Sequence, residues 1–132
     1  MSLLLAVVDQ VASVGGLVKG STLFAGRLPE QPDAAVLVYE YEGQPAKYTM
    51  GNAGNVLDRP RIQVMVRAAR DGYATGHALA ETLHRGLDVA EVTWGGYRIH
   101  RCQPVSTLSS IGVDDADRPM FTVRFEIMTT RA

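Results

Sequence analysis

Asp58-Arg59-Pro60-Arg61-Ile62-Gln63-Val64-Met65-Val66-Arg67 sets the fold, because the same opening returns as Asp117-Arg118-Pro119-Met120-Phe121-Thr122-Val123-Arg124-Phe125-Glu126. Aligned on the prolines, Ile62 falls on Phe121, Val64 on Val123 and Val66 on Phe125. Both runs alternate apolar and polar residues, the period of a strand with one buried face. A proline is tolerated at the first residue of a strand or at a sheet edge, so each triplet is expected to open a strand, over residues 61–69 and 120–130. The echo points to two similar halves, each feeding one strand into a common sheet.

Outward from these strands the remaining elements fall into place. Leu4, Val7, Val8, Val11 and Val14 keep the spacing of one helical face, so residues 3–14 are expected to be helical, capped by Ser2 and ended by Gly15-Gly16. Residues 22–26 form a short strand, residues 29–33 a turn, and residues 34–42 a stronger strand. Residues 43–58 read as the least structured region, with a short strand at 47–50. Gly51-Asn52-Ala53-Gly54-Asn55 is rich in residues that accept turn conformations. Asp71 is placed to cap a helix over residues 73–86 whose inward stripe is Tyr73, Gly76, Ala80, Leu83 and Leu87. Gly95-Gly96 between residues 89–94 and 97–105 signals a two-residue hairpin. Residues 106–117 read as irregular and end in the acidic run Asp114-Asp115-Ala116-Asp117. The expected fold is therefore α+β: one domain over residues 1–132, a mostly antiparallel sheet with two helices packed on one face.

The strands carry apolar side chains on both faces. Ala35, Leu37, Tyr39 and Tyr41 oppose Val36 and Val38, and Met120 and Met128 oppose Phe121, Val123, Phe125 and Ile127. Two helices cover one face. Scattered exposed apolar residues are ordinary on protein surfaces, but a second cover, another subunit, accounts better for a whole face.

Composition excludes several functions. The 132-residue chain is 46% hydrophobic and 20% charged with a net charge of −1, so no overall basic field advertises nucleic-acid or membrane binding. Its 11 arginines against 2 lysines fit a GC-rich genome, and also suit bidentate pairing at interfaces. The single cysteine, Cys102, excludes an intrachain disulfide and alternates as a packed strand residue. The apolar start lacks a basic segment and is interrupted by Asp9 and Gln10, so neither a signal peptide nor a membrane span is expected.

No catalytic constellation stands out. His77, His84 and His100 lack metal-ligand spacing, and Asp114, Asp115 and Asp117 lack the glycine and distal glutamate of a calcium loop. Residues 51–55 are not followed by the lysine and helix of a phosphate loop, and Ser106, Ser109 and Ser110 have no nucleophile signature. No catalytic, cofactor-binding or metal residue is therefore assigned. The residues assigned to assembly contacts are Asn52, Asn55, Arg59, Asp114, Asp115, Asp117 and Arg118, with Arg59 and Arg118 placed to pair with acids such as Asp114 or Asp115.

These features together resemble the tail-terminator or head–tail joining proteins of long-tailed bacteriophages, also catalogued as phage minor capsid proteins. The likeness is carried by the amphipathic start, by Leu28-Pro29-Glu30 before the strand at 34–42, and by Arg59-Pro60-Arg61-Ile62-Gln63-Val64-Met65-Val66-Arg67. It continues through Ala80-Glu81-Thr82-Leu83-His84, Gly96-Tyr97-Arg98-Ile99 and residues 114–130. The resemblance implies a structural virion protein without enzymatic activity or cofactor. It implies a hexameric ring at the tail–neck junction, assembled in the bacterial cytoplasm. There the ring would stop tail tube polymerisation, contact the tail tube protein and the head–tail connector or stopper protein, and meet DNA only as it passes through the lumen, with no membrane partner. Two other functions remain open: another neck adaptor such as a stopper, and a small ligand-binding domain using the open sheet face.

Overall fold

The computed structural model describes residues 3–48 and 56–130, for residues 42–48, 56 and 57 the backbone alone. The chain runs α1 (Leu3–Gly15), β1 (Leu23–Ala25), β2 (Ala35–Tyr48), β3 (Val56–Arg67), α2 (Tyr73–Gly86), β4 (Val89–Trp94), β5 (Tyr97–Pro104), β6 (Ser109–Val113) and β7 (Pro119–Thr130). The strands form one sheet in the order β1-β2-β3-β7-β5-β4, and β6 pairs with β7 off this path. All pairings are antiparallel except β1 with β2. The α+β class with both helices against the sheet agrees with the sequence.

The two repeated strands are neighbours. β3 and β7 pair antiparallel with Val64 opposite Val123, Ile62 opposite Phe125 and Val66 opposite Phe121. The residues that match in the sequence alignment are thus exchanged by a local twofold axis through Val64 and Val123. All six are at most 1% exposed and lie in the single core beneath the helices. Around this axis β2 answers β5 and β1 answers β4. The symmetry fails at the rim, where β1 runs parallel to β2 while β4 runs antiparallel to β5.

α1 buries Ala6, Val7, Val8 and Val11, and α2 buries Gly76, Ala80 and Leu83, with Leu87 beyond its end. Valine-rich α1 has weak intrinsic helix propensity and owes its persistence to this packing. Gly76 is required by close approach, since a Cβ there would lie 2.6 Å from Ala68 Cβ and 3.0 Å from the Phe121 ring. The β4–β5 turn is the expected hairpin, with φ of 53° at Gly95 and 86° at Gly96, and Trp94 paired with Tyr97. Cys102 is buried, and burial pushes its thiol up to about 12.

Several expectations are corrected. The region read as irregular after residue 42 holds the far half of a long hairpin, with β2 running to Tyr48 and β3 starting at Val56. Pro60 consequently lies inside β3, not at its start. Tyr41 pairs with Arg61 and Gln44 with Arg59, so two residues of β2 face Pro60 alone in a bulge, which is where a residue without an N–H fits an interior strand. Pro119, by contrast, is the first residue of β7 as expected. Asp58 sits in the strand opposite Thr129. The stretch at 106–117 contains β6, whose residues are exposed throughout. Gly72, not Asp71, is the N-cap of α2, with no side-chain cap. Tyr73 is 53% exposed, its ring set at a T-shaped angle to that of Phe121, so it leaves the inward stripe. The proposed cap at Ser2 lies outside the described residues.

Candidate assembly surface

The second triplet closes a compact acidic turn. One carboxylate oxygen of Asp114, Oδ1, accepts the backbone N–H groups of Ala116 and Arg118, both at 3.0 Å, while Oδ2 accepts Arg118 Nε at 2.8 Å. The Asp117 N–H donates to the Asp114 carbonyl, and Asp117 adopts the left-handed backbone that such a turn needs, at φ 61°. Asp115 and Asp117 stay exposed. The N–H groups of Arg118 and Ala116 and the Arg118 guanidinium hold the Asp114 carboxyl below its usual value, against a smaller opposing push from desolvation.

Arg118 is 3% exposed. Besides Asp114 it donates to the Glu30 carbonyl at 2.6 Å, to Glu30 Oε1 at 3.0 Å and to Asp33 Oδ1 at 3.2 Å. Arg67 at the end of β3 reaches the same loop, donating to the carbonyls of Pro29, Glu30, Pro32 and Asp33. Burial lowers the pKa of Arg67, and the Arg118 charge adds to this against the nearby acids. For Arg118 burial pulls down, but the Asp114 hydrogen bond and the charges of Asp114 and Glu30 outweigh it and raise its pKa. The expected Arg118–Asp114 pair thus exists within the subunit. Glu30, Asp33 and the grip of Arg67 were not foreseen; the proline-flanked loop at 29–33 was the one local sign that something must hold it.

The first triplet stands in different surroundings. Both helices cover the sheet face bearing Val64 and Val123, so among the described residues the opposite face carries no helix. There Tyr41, Arg61 and Glu126 form one cross-strand row, and Tyr39, Gln63 and Arg124 the next. Arg61 Nε lies 3.3 Å from Glu126 Oε2, and the Arg124 guanidinium carbon lies 5.8 Å from the centre of the Tyr41 ring. Burial raises the Tyr41 pKa, partly offset by the charges of Arg61 and Arg124. The Nε of Arg59 and the hydroxyl of Tyr41 are buried without a hydrogen-bond partner. Arg59 and Asp114 are therefore not brought together. Asn52 and Asn55 lie outside the described residues.

Other features offer less. Among the described residues no three His, Cys, Asp or Glu side chains gather as a metal would require, and no helix is long and apolar enough to cross a membrane. His77 packs its ring against Tyr73 and Phe121, His84 bonds the Ser106 carbonyl, and His100 bonds Thr130. A cavity of about 410 Å³, lined by Leu17, Val36, Val66, Ala68, Gly76 and Leu79 among others, opens between α2 and the sheet end. It lies on the helix-covered side, not on the open face.

Comparison with known proteins identifies the chain. The model of a family described as "Bacteriophage tail terminator protein" matches residues 10–131. The chain belongs to that family. It is a structural protein of phage-type tails, as the sequence led us to expect. The fold has a counterpart in a solved chain from "Virion of native gene transfer agent (GTA) particle", at 19% identity and a TM-score of 0.60, covering 98% of this chain and 96% of that one. A second solved chain, at 10% identity and a TM-score of 0.49 over 96% of this chain and 89% of its own, bears on nothing further. No curated protein matches the sequence.

Proposed function

We propose that this tail terminator acts as a ring, hexameric in its working form, at the head-proximal end of the tail. The ring halts polymerisation of the tail tube protein and offers its other rim to the head–tail connector or stopper protein, with DNA passing through the lumen. It is assembled in the bacterial cytoplasm and remains at the tail–neck junction of the virion. Family membership over residues 10–131 carries this reading. The fold shared with a chain of a gene transfer agent virion supports a place in a particle. The helix-free sheet face supplies surface for a neighbour, and we assign partner contacts to Asn52, Asn55 and Arg59 on the first half and Asp115 and Asp117 on the second. Asp114 and Arg118 serve that second group by fixing the shape of the turn.

Tube assembly tests the reading. Purified tail tube protein polymerised with this chain should give tubes of limited length with a ring at one end in electron micrographs. Tubes that grow unchecked, with no ring at either end, would overturn it, as would a ring found only on the portal side of a separate terminator.

A further inference from the structure

We infer that adjacent copies join through the acidic turn of one, at Asp115 and Asp117, docked on the arginine-bearing open face of the next, at Arg59, Arg61 and Arg124. This rests on the ring reading above and names its contact. Three observations support it. First, Arg67, Arg98 and Arg101 on this face are held by the 29–33 loop, Glu91 and Asp88, whereas in the rows of Arg61 and Arg124 the acid among the described residues is Glu126, and Arg61 already engages it. Arg124 has an aromatic ring beside it in place of an acid, and Arg59 Nε together with the Tyr41 hydroxyl is buried without a partner. A carboxylate arriving there meets the exposed Arg124 guanidinium beside the Tyr41 ring.

Second, the turn is preformed. Asp114 uses its carboxylate on Ala116 and Arg118, which leaves Asp115 and Asp117 exposed and without an ion pair among the described residues. A turn fixed before contact loses little conformational freedom on docking. Third, the turn cannot serve its own face. Asp117 precedes β7 and Arg124 lies seven positions further along the strand, about 23 Å at roughly 3.3 Å per residue. In the proposed contact the opposite charges therefore meet between copies. Turn and face are different patches, so the contact is head-to-tail, the kind that closes into a ring.

Two charge-reversed chains test this, D115R/D117R and R61E/R124E. By light scattering the parent should weigh about 86 kDa as a ring of six 14.3 kDa copies. Each variant alone should remain at the monomer mass. Mixed in equal amounts they should restore the ring, because each reversed turn then meets a reversed face in alternation; such rescue also shows that both variants fold. If either variant alone forms the parental ring, or the mixture stays monomeric, the docking is wrong while a parental ring leaves the wider reading intact. A parent monomeric at every salt concentration and absent from the ends of tail tubes overturns both. The same variants probed with a duplex DNA oligonucleotide cover the other occupant an arginine face suits. R61E/R124E losing DNA binding while still forming rings would make the face a DNA surface and overturn the proposal.

Discussion

The two Asp-Arg-Pro triplets have the same residues and opposite circumstances. At the first, the proline sits in a bulge inside β3, the aspartate is a strand residue, and Arg59 Nε has no partner. At the second, the proline starts β7, a turn closes just before it, and Arg118 satisfies its guanidinium on Asp114, Glu30 and Asp33. What differs is the preceding chain. β2 extends β3 backwards past its triplet by pairing, whereas the acidic turn leaves β7 nothing to extend into. A short motif sets a local preference, and the neighbour across the sheet decides its outcome.

The sharpest way to break this contrast is to remove both arginines separately. Arg118→Ala should give the largest fall in urea midpoint, because it strips the donors from Asp114, Glu30 and Asp33 and releases the loop at 29–33. Arg67→Ala sets the scale, since it removes a charged donor from the carbonyls of Pro29, Pro32 and Asp33, and hydrogen bonds to a charged group contribute about 1.5–3 kcal/mol. Arg59→Met, which keeps the aliphatic stem and removes an unsatisfied donor, should be neutral or stabilising by up to about 1 kcal/mol. Equal losses at Arg118 and Arg59 would show the two triplets to be energetically alike.

Acid should loosen the second triplet selectively. Asp114 has a lowered folded pKa, so the unfolded chain binds its proton more readily. The stability it contributes is complete above the ordinary carboxylate value of about 3.9 and is lost as pH falls through the lowered folded value. Below about pH 4, amide exchange at Ala116 and Arg118 should therefore accelerate before that of the central pair around Val64 and Val123. Asp114→Asn should be less stable at neutral pH and lose this acid response. Uniform acceleration across the chain would place the acid sensitivity elsewhere.

How much of this was legible follows from the range of the forces involved. The helices and the β3–β7 core declare themselves through periodicity, because each buries one face against the same core, and the hairpin declares itself through Gly95-Gly96. β6 gives no alternation to read, since all its residues are exposed. The outer half of β2 contains Gly43 and Pro45, poor strand formers, and is drawn into the sheet by pairing with β3. Arg118 with Asp114 was legible as a four-residue spacing. The grip of Arg67 on residues 29–33, and the row of Tyr41, Arg61 and Glu126, depend on cross-strand register that no local window contains.

The prolines offer the finest distinction. Replacing a proline by alanine enlarges the unfolded ensemble and costs about 0.4–1 kcal/mol where the folded backbone suits the proline. Pro119 begins its strand, and its carbonyl accepts the Ala68 N–H, a bond that alanine keeps. Pro119→Ala should thus show the entropic loss alone. Pro60→Ala also restores an N–H inside a strand with neighbours on both sides, where a new ladder bond can offset that loss. The smaller change in urea midpoint is therefore expected at Pro60, with slower amide exchange at Arg59 and Arg61 as the bulge tightens. A larger loss at Pro60 would mean that the bulge itself stabilises the fold, and the first triplet would then be held in its place as firmly as the second.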